Sequence, residues 1–98
     1  MTKEIRIERF AYSERFGSEL RSLPPDVARA TKDALELLLR NPRAKSLRLH
    51  PLTGLPKPTV WKIDVFANHA WQVTFELNGT KAELKRIGTH KSIDREHR

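Results

Sequence analysis

The chain of 98 residues contains no cysteine, which excludes disulfide bonds, a thiolate zinc site and a cysteine nucleophile but leaves the redox compartment open. No apolar run approaches the roughly 18 residues of a membrane-spanning helix. The first ten residues also lack the apolar stretch of a secretory signal peptide. Repeats and low-complexity tracts are absent. The sequence therefore predicts a single domain over residues 1–98, cytoplasmic and without a membrane partner.

Acidic residues are missing from one part of the chain. Residues 40–62, here called the basic segment, contain six Lys or Arg and no Asp or Glu, and so carry six of the seven net positive charges. A positive excess concentrated in a loop that contains Pro and Gly is typical of a site for a polyanion, most often nucleic acid. Charge alone leaves a second interpretation open, a solvated lysine-rich loop.

The first half of the chain has the pattern of a strand and two helices. Apolar alternation predicts a strand over residues 5–10. Ser13 is suited to cap a helix that begins at Glu14. The Pro-Pro-Asp sequence at 24–26 ends this helix and opens a second one, which Asn-Pro at 41–42 terminates.

The second half predicts antiparallel strands. Residues 59–66 and 70–77 alternate between apolar and polar side chains, with a turn expected at 68–69, and Asn-Gly at 78–79 is a strong hairpin signal. Counting outward from that hairpin pairs Phe75 with Ala82. The same register places Trp71 opposite Arg86, at cation–π distance.

The expected fold class is α+β. An N-terminal strand and a two-helix hairpin precede antiparallel strands, which form one small twisted sheet with the helices on one face. The opposite face is expected to be uncovered and polar. It carries the side chains of Lys62, Asp64, Gln72, Glu76 and Lys85.

With this order of elements, the chain resembles the RelE/ParE superfamily of bacterial toxin–antitoxin toxins, and within it the YafQ-like mRNA interferases. The resemblance covers nearly the whole chain. It rests on the motifs HPLTG at 50–54 and RIGTH at 86–90, and on the pattern of the helical region 15–42.

The resemblance implies a ribosome-dependent endoribonuclease that cuts mRNA when an RNA 2′-hydroxyl attacks the adjacent phosphate. This chemistry requires no metal and no cofactor. The implied partners are mRNA, the ribosome and a cognate antitoxin, with which the toxin forms an inactive hetero-oligomer.

Such cleavage needs a proton acceptor, a proton donor and fixed positive charge at the phosphate. The resemblance assigns the acid–base roles to His50 and His90, sets Arg86 against the scissile phosphate and makes Asp64 a further catalytic candidate. Basic side chains expected to contact RNA are Arg48, Lys57, Lys62, Lys85 and Lys91.

Structural roles for these residues also remain open. His50 is able to cap its own loop, and His90 follows a strand where an exposed histidine is common. Arg86 is able simply to stack on Trp71, and Asp64 to be an ordinary surface carboxylate.

Two further functions are compatible with the sequence. The same fold carries ParE-like inhibitors of DNA gyrase, which perform no nuclease chemistry. A homologue that binds RNA or the ribosome without cutting is the other alternative. It is suggested by Gln72, which stands where RelE-like toxins have an arginine, and by the absence of their C-terminal aromatic residue near Ile93.

Overall fold

The computed structural model describes residues 5–66 and 70–98. No helix in these ranges is long and apolar enough to cross a membrane. Elements follow one another as β1 (Arg9–Tyr12), α1 (Glu14–Arg21), α2 (Pro25–Arg40), a 3₁₀ turn (Lys45–Leu47), β2 (His50–Pro51), β3 (Val60–Asp64), β4 (Trp71–Asn78), β5 (Lys81–Thr89) and α3 (His90–Arg95).

The strands form one five-stranded sheet in the order β1-β5-β4-β3-β2. The predicted α+β class is confirmed. The sheet is nevertheless mixed, because β1 runs parallel to β5 while the other neighbours are antiparallel. The predicted bounds of the first strand are wrong, since β1 runs from Arg9 to Tyr12. Ile7 precedes the strand and is nonetheless buried in the core, which explains its apolar character.

The two predicted helices, α1 and α2, begin and end where the sequence predicts, whereas α3 was not predicted. The Ser13 hydroxyl accepts a hydrogen bond from the Phe16 amide at 3.0 Å and caps α1. In α2, Pro25 occupies the first turn, where its missing N–H costs nothing. Helices α1 and α2 cover one sheet face, and the core between them and the sheet includes Phe16, Ala34, Leu35, Leu38, Ile63, Val73, Phe75, Leu84 and Ile87.

The predicted hairpin register is wrong by two residues. Asn78 pairs with Lys81, so Gly79 and Thr80 form the turn, and Gly79 adopts the positive φ of 64°. A shift of two keeps each side chain on its predicted face because strands alternate with a period of two. The hairpin signal thus identified the turn but not its central pair.

A β-bulge in β5 then reverses the sheet face toward which the following residues of this strand point. Phe75 pairs with Leu84 but Thr74 pairs with Arg86, which leaves Lys85 as the extra residue. Beyond the bulge, Ile87 turns to the helix-covered core and Arg86 to the opposite face. Trp71 pairs with Thr89, so the predicted contact between Trp71 and Arg86 is wrong.

The second face of the sheet was expected to be uncovered, but it is not. The chain beyond β5 lies over it: the Thr74 hydroxyl donates to the carbonyl oxygen of His97 at 2.7 Å, and Arg98 Nε donates to Glu76. Four polar side chains of the predicted face are buried, namely Lys62, Asp64, Gln72 and Glu76. The turn expected at 68–69 lies outside the described residues.

Candidate active site

A cleft of about 180 Å³ opens on this second face, beside β2 and the start of α3. We call it the histidine cleft. It brings together two of the four histidines with two cationic side chains, one carboxylate and one amide. Its lining consists of Arg48, His50, Lys62, Asp64, Gln72 and His90.

Strand pairing explains why these residues meet. His50 pairs with Lys62 across β2 and β3, and Asp64 pairs with Gln72 across β3 and β4. Directly paired residues project from the same face of a sheet. His90 arrives from the other side, because β5 ends beside β4 and the His90 amide donates to the carbonyl oxygen of Ala70 at 3.1 Å.

His50 is held in a defined orientation by its own loop. Its Nδ1 lies 2.6 Å from the carbonyl oxygen of Arg48. A carbonyl oxygen only accepts, so Nδ1 carries the proton in this contact. In the neutral imidazole, Nε2 is then the atom that is able to take a proton from a ligand.

His90 is oriented in a similar way by an acidic neighbour. It is the first residue of α3, and its Nδ1 lies 3.3 Å from Asp94 Oδ2, one helical turn further on. The carboxylate favours a proton on Nδ1 because it only accepts. Asp94 was not predicted as a site residue, although its i+4 spacing from His90 is visible in the sequence.

The two cations of the cleft, Arg48 and Lys62, differ in their partners. Arg48 Nε lies 3.7 Å from Asp64 Oδ2, and Gln72 Nε2 donates to Asp64 Oδ1 at 3.1 Å. Lys62 is only 7% exposed, and its side-chain ammonium makes no hydrogen bond or ion pair to any described residue. Its ammonium group is thus the cation that is most available to an anionic ligand. No group of three or more His, Asp or Glu in the described ranges is arranged to hold a metal ion.

Solved structures share this architecture. YafQ from Escherichia coli BL21(DE3) superposes with a TM-score of 0.69 at 20% identity, over 86% of this chain and 94% of that one. The isolated E. coli RelE toxin gives 0.65 at 18% identity, over 90% and 97%. The E. coli DinJ–YafQ toxin–antitoxin complex gives 0.66 at 22% identity, over 89% and 98%. This chain has the YafQ/RelE fold. No protein-family model and no curated protein sequence matches it.

Arg86 occupies a different place in this YafQ/RelE fold from the one predicted. It does not line the histidine cleft, and all five of its N–H groups are bonded within the protein. Nε and Nη2 donate to the Glu19 carboxylate, Nη1 to the carbonyl oxygens of Ser92 and Glu96, and Nη2 also to the Ser92 hydroxyl. The structure therefore does not bring Arg86 into the cleft with the two histidines, and its role at the phosphate stays a prediction.

Three of the predicted RNA-contacting lysines also lie outside the cleft. Lys57 and Lys91 are exposed. Lys85 is the bulge residue, and its Nζ lies 3.9 Å from Glu76 Oε1. Contact between these side chains and RNA remains a prediction, whereas Arg48 and Lys62 do lie beside the histidines.

Proposed function

We propose that this chain is the toxin of a toxin–antitoxin pair and that it cleaves mRNA on the ribosome. The observation that carries the proposal is the shared cleft, in which two imidazoles each have Nδ1 next to a protein acceptor. Both Nε2 atoms are thereby left for proton exchange with a ligand. Imidazole is suited to give and to take protons near neutral pH.

The proposed reaction is a transesterification. One imidazole removes the proton of the 2′-hydroxyl while the 2′-oxygen forms a bond to the adjacent phosphorus. The bond from phosphorus to the 5′-oxygen breaks, and the imidazolium of the second histidine protonates that leaving oxygen. The products are a 2′,3′-cyclic phosphate and a free 5′-hydroxyl. Protons and electron pairs balance without a further reactant.

Positive charge for the phosphate comes from Lys62 and Arg48 in this proposal. The Lys62 ammonium has no carboxylate partner among the described residues, so it is able to neutralise charge that develops on the phosphorane oxygens. This replaces the role that the sequence motif suggested for Arg86, whose donors are all engaged elsewhere.

The proposed protein partner is an antitoxin. Solved complexes with this fold include DinJ–YafQ and RelB–RelE pairs. The basic segment of this chain has no acidic residue, and an acidic antitoxin segment would complement it. Such an interface should weaken at high salt, since screening acts on exposed charges.

A second candidate function is binding to the ribosome without cleavage. The engagement of Arg86 favours it, because the arginine that the motif places at the phosphate is instead part of the scaffold. Glu19 and the chain after β5 would have to release Arg86 before it could reach RNA.

Primer extension on mRNA in programmed ribosomes separates these functions. The proposal predicts breaks in register with the codons that appear only when ribosomes are present. Ribosome binding with intact mRNA would instead establish the non-cleaving function. Intact mRNA together with trapped gyrase–DNA complexes in a parallel assay would identify a ParE-like inhibitor.

A further inference from the structure

Gln72 has an unusual position in the histidine cleft. It lies on β4 and is only 3% exposed. Its Nε2 donates to Asp64 Oδ1 at 3.1 Å, while its buried Oε1 has no hydrogen-bond partner within the described residues. Leaving such a buried acceptor unsatisfied destabilises the fold. An unsatisfied acceptor on a residue that lines a cleft is a candidate for contact with a ligand.

Asp64 fixes which end of the Gln72 amide remains available. A carboxylate oxygen only accepts, so it binds the NH₂ end of the amide. Rotating the amide by 180° would place Gln72 Oε1 against Asp64 Oδ1, and two acceptors would then face each other. The amide atom of Gln72 that is left without a partner is therefore an acceptor.

A hydrogen-bond acceptor is able to bind only those parts of a nucleotide that carry a donor. The oxygens of a phosphodiester carry no proton and cannot donate to Gln72 Oε1. The donors of an RNA nucleotide are the ribose 2′-hydroxyl and the amino and imino groups of the bases. The two cations of the cleft, Lys62 and Arg48, are suited to the phosphate instead.

We propose that Gln72 Oε1 accepts a hydrogen bond from the nucleotide whose phosphate contacts Lys62, and that Gln72 thereby determines which nucleotide the cleft takes. This inference rests on the proposed function, because it assumes an RNA ligand. The donor is either the 2′-hydroxyl or a base N–H group, and the test below distinguishes them.

The test is a titration of the wild-type chain and of Gln72→Met with nucleoside 3′-monophosphates, followed by NMR. Met has a similar length and no comparable acceptor. The four ribonucleotides and their 2′-deoxy counterparts are compared. Wild type is expected to prefer some of these ligands by about tenfold, the equivalent of one ordinary hydrogen bond. In Gln72→Met this preference is expected to disappear.

The two donors give different patterns. If the hydroxyl is the donor, the preference of wild type for ribose over deoxyribose is lost in Gln72→Met. If a base is the donor, the ranking of the four bases collapses instead. Equal affinities and an unchanged ranking in both proteins would overturn the inference but not the proposed function. Failure of every nucleotide to bind wild type would overturn both.

A measurement on the wild-type chain tests the inference even if the variant does not fold. The ¹³Cδ resonance of Gln72 should shift when a preferred nucleotide binds. Sulfate, which offers charge but no donor at neutral pH, should leave that resonance in place while it perturbs the resonances of Lys62. A ¹³Cδ resonance that does not shift when a preferred nucleotide binds contradicts the inference.

Discussion

The Arg86 guanidinium and the Glu19 carboxylate form an ion pair in which Nη2 lies 2.5 Å from Oε2. The Arg86 side chain is 4% exposed and that of Glu19 is 22% exposed. Glu19 Oε1 also accepts from the Ile87 amide at 3.2 Å. This amide lies beyond Leu84, the last residue of β5 that pairs with β1. The pair therefore joins α1 to the part of β5 that β1 does not cover.

Replacing Arg86 is expected to act on stability first. Arg86→Ala removes the nearest cation of Glu19 and leaves its carboxylate with Arg15 Nε at 3.7 Å and the Ile87 amide. Breaking a buried ion pair costs about 3–5 kcal/mol, and this is the upper limit of the expected loss because Glu19 keeps these partners. Chemical denaturation measures this loss. The exposed Arg29 of α2 provides the control, because Arg29→Ala should change the free energy of unfolding by less than about 0.5 kcal/mol. A stable Arg86→Ala variant that no longer cleaves mRNA would instead place Arg86 in the chemistry.

The placement of Arg86 was not predictable from the sequence because one bulge residue decides it. Hydrophobic alternation and the hairpin signal predicted β3, β4 and β5, the position of the turn between the last two, and the face of each of their residues up to Leu84. Lys85 then adds a residue to β5 and reverses the faces of Arg86 and Ile87. No local feature of the sequence marks this position, and the partners that hold Arg86, Glu19 and Ser92, come from two different helices.

Lys62 should show opposite effects on stability and on function. Its ammonium is buried without a described partner, a state that destabilises the fold. Lys62→Met is therefore expected to leave the free energy of unfolding unchanged or to raise it by about 0.5–1 kcal/mol. Cleavage of ribosome-bound mRNA should fall by about 10²-fold, because one charge at the phosphate is lost.

The control for this prediction is Lys32→Met on the exposed side of α2. It removes the same charge at a distance from the cleft and should preserve cleavage. Lys62 has a structural role if Lys62→Met unfolds more easily than wild type. Equal cleavage by the two variants would remove Lys62 from the proposed site.

The histidine cleft itself was only partly predictable. The two sequence motifs identified His50 and His90, and strand alternation put Lys62 and Asp64 on the correct face. Burial of that face was missed. Two contacts of the last residues cover part of this face: the His97 carbonyl oxygen accepts from Thr74, and Arg98 binds Glu76. A backbone acceptor leaves no signature in an amino-acid pattern, and a long-range ion pair between two charged residues is not visible in it either.

Acid should loosen the attachment of the chain end to α1. Arg15 Nη2 donates to Glu96 Oε1 at 3.1 Å, and this bond, together with the attraction between the charges, lowers the pKa of Glu96 below its usual 4.5. The contribution of Glu96 to stability is thus complete above about pH 4.5 and is lost as the pH falls through the lowered value. Thermal unfolding of wild type and of Glu96→Gln checks this. Their difference in Tm should be present at pH 7 and vanish in acid; a difference that grows in acid would contradict the sign.

The central claim is that His50 and His90 exchange protons with RNA in one cleft. Its most direct measurement is the single-turnover cleavage rate of mRNA on programmed ribosomes, for wild type and for the double variant His50→Ala, His90→Ala, with thermal unfolding as the check on folding. Each acid–base group contributes about 10²–10⁴-fold, so the folded double variant should cut at least about 10²-fold more slowly and should no longer arrest growth. A folded double variant that cleaves at the wild-type rate would contradict the account.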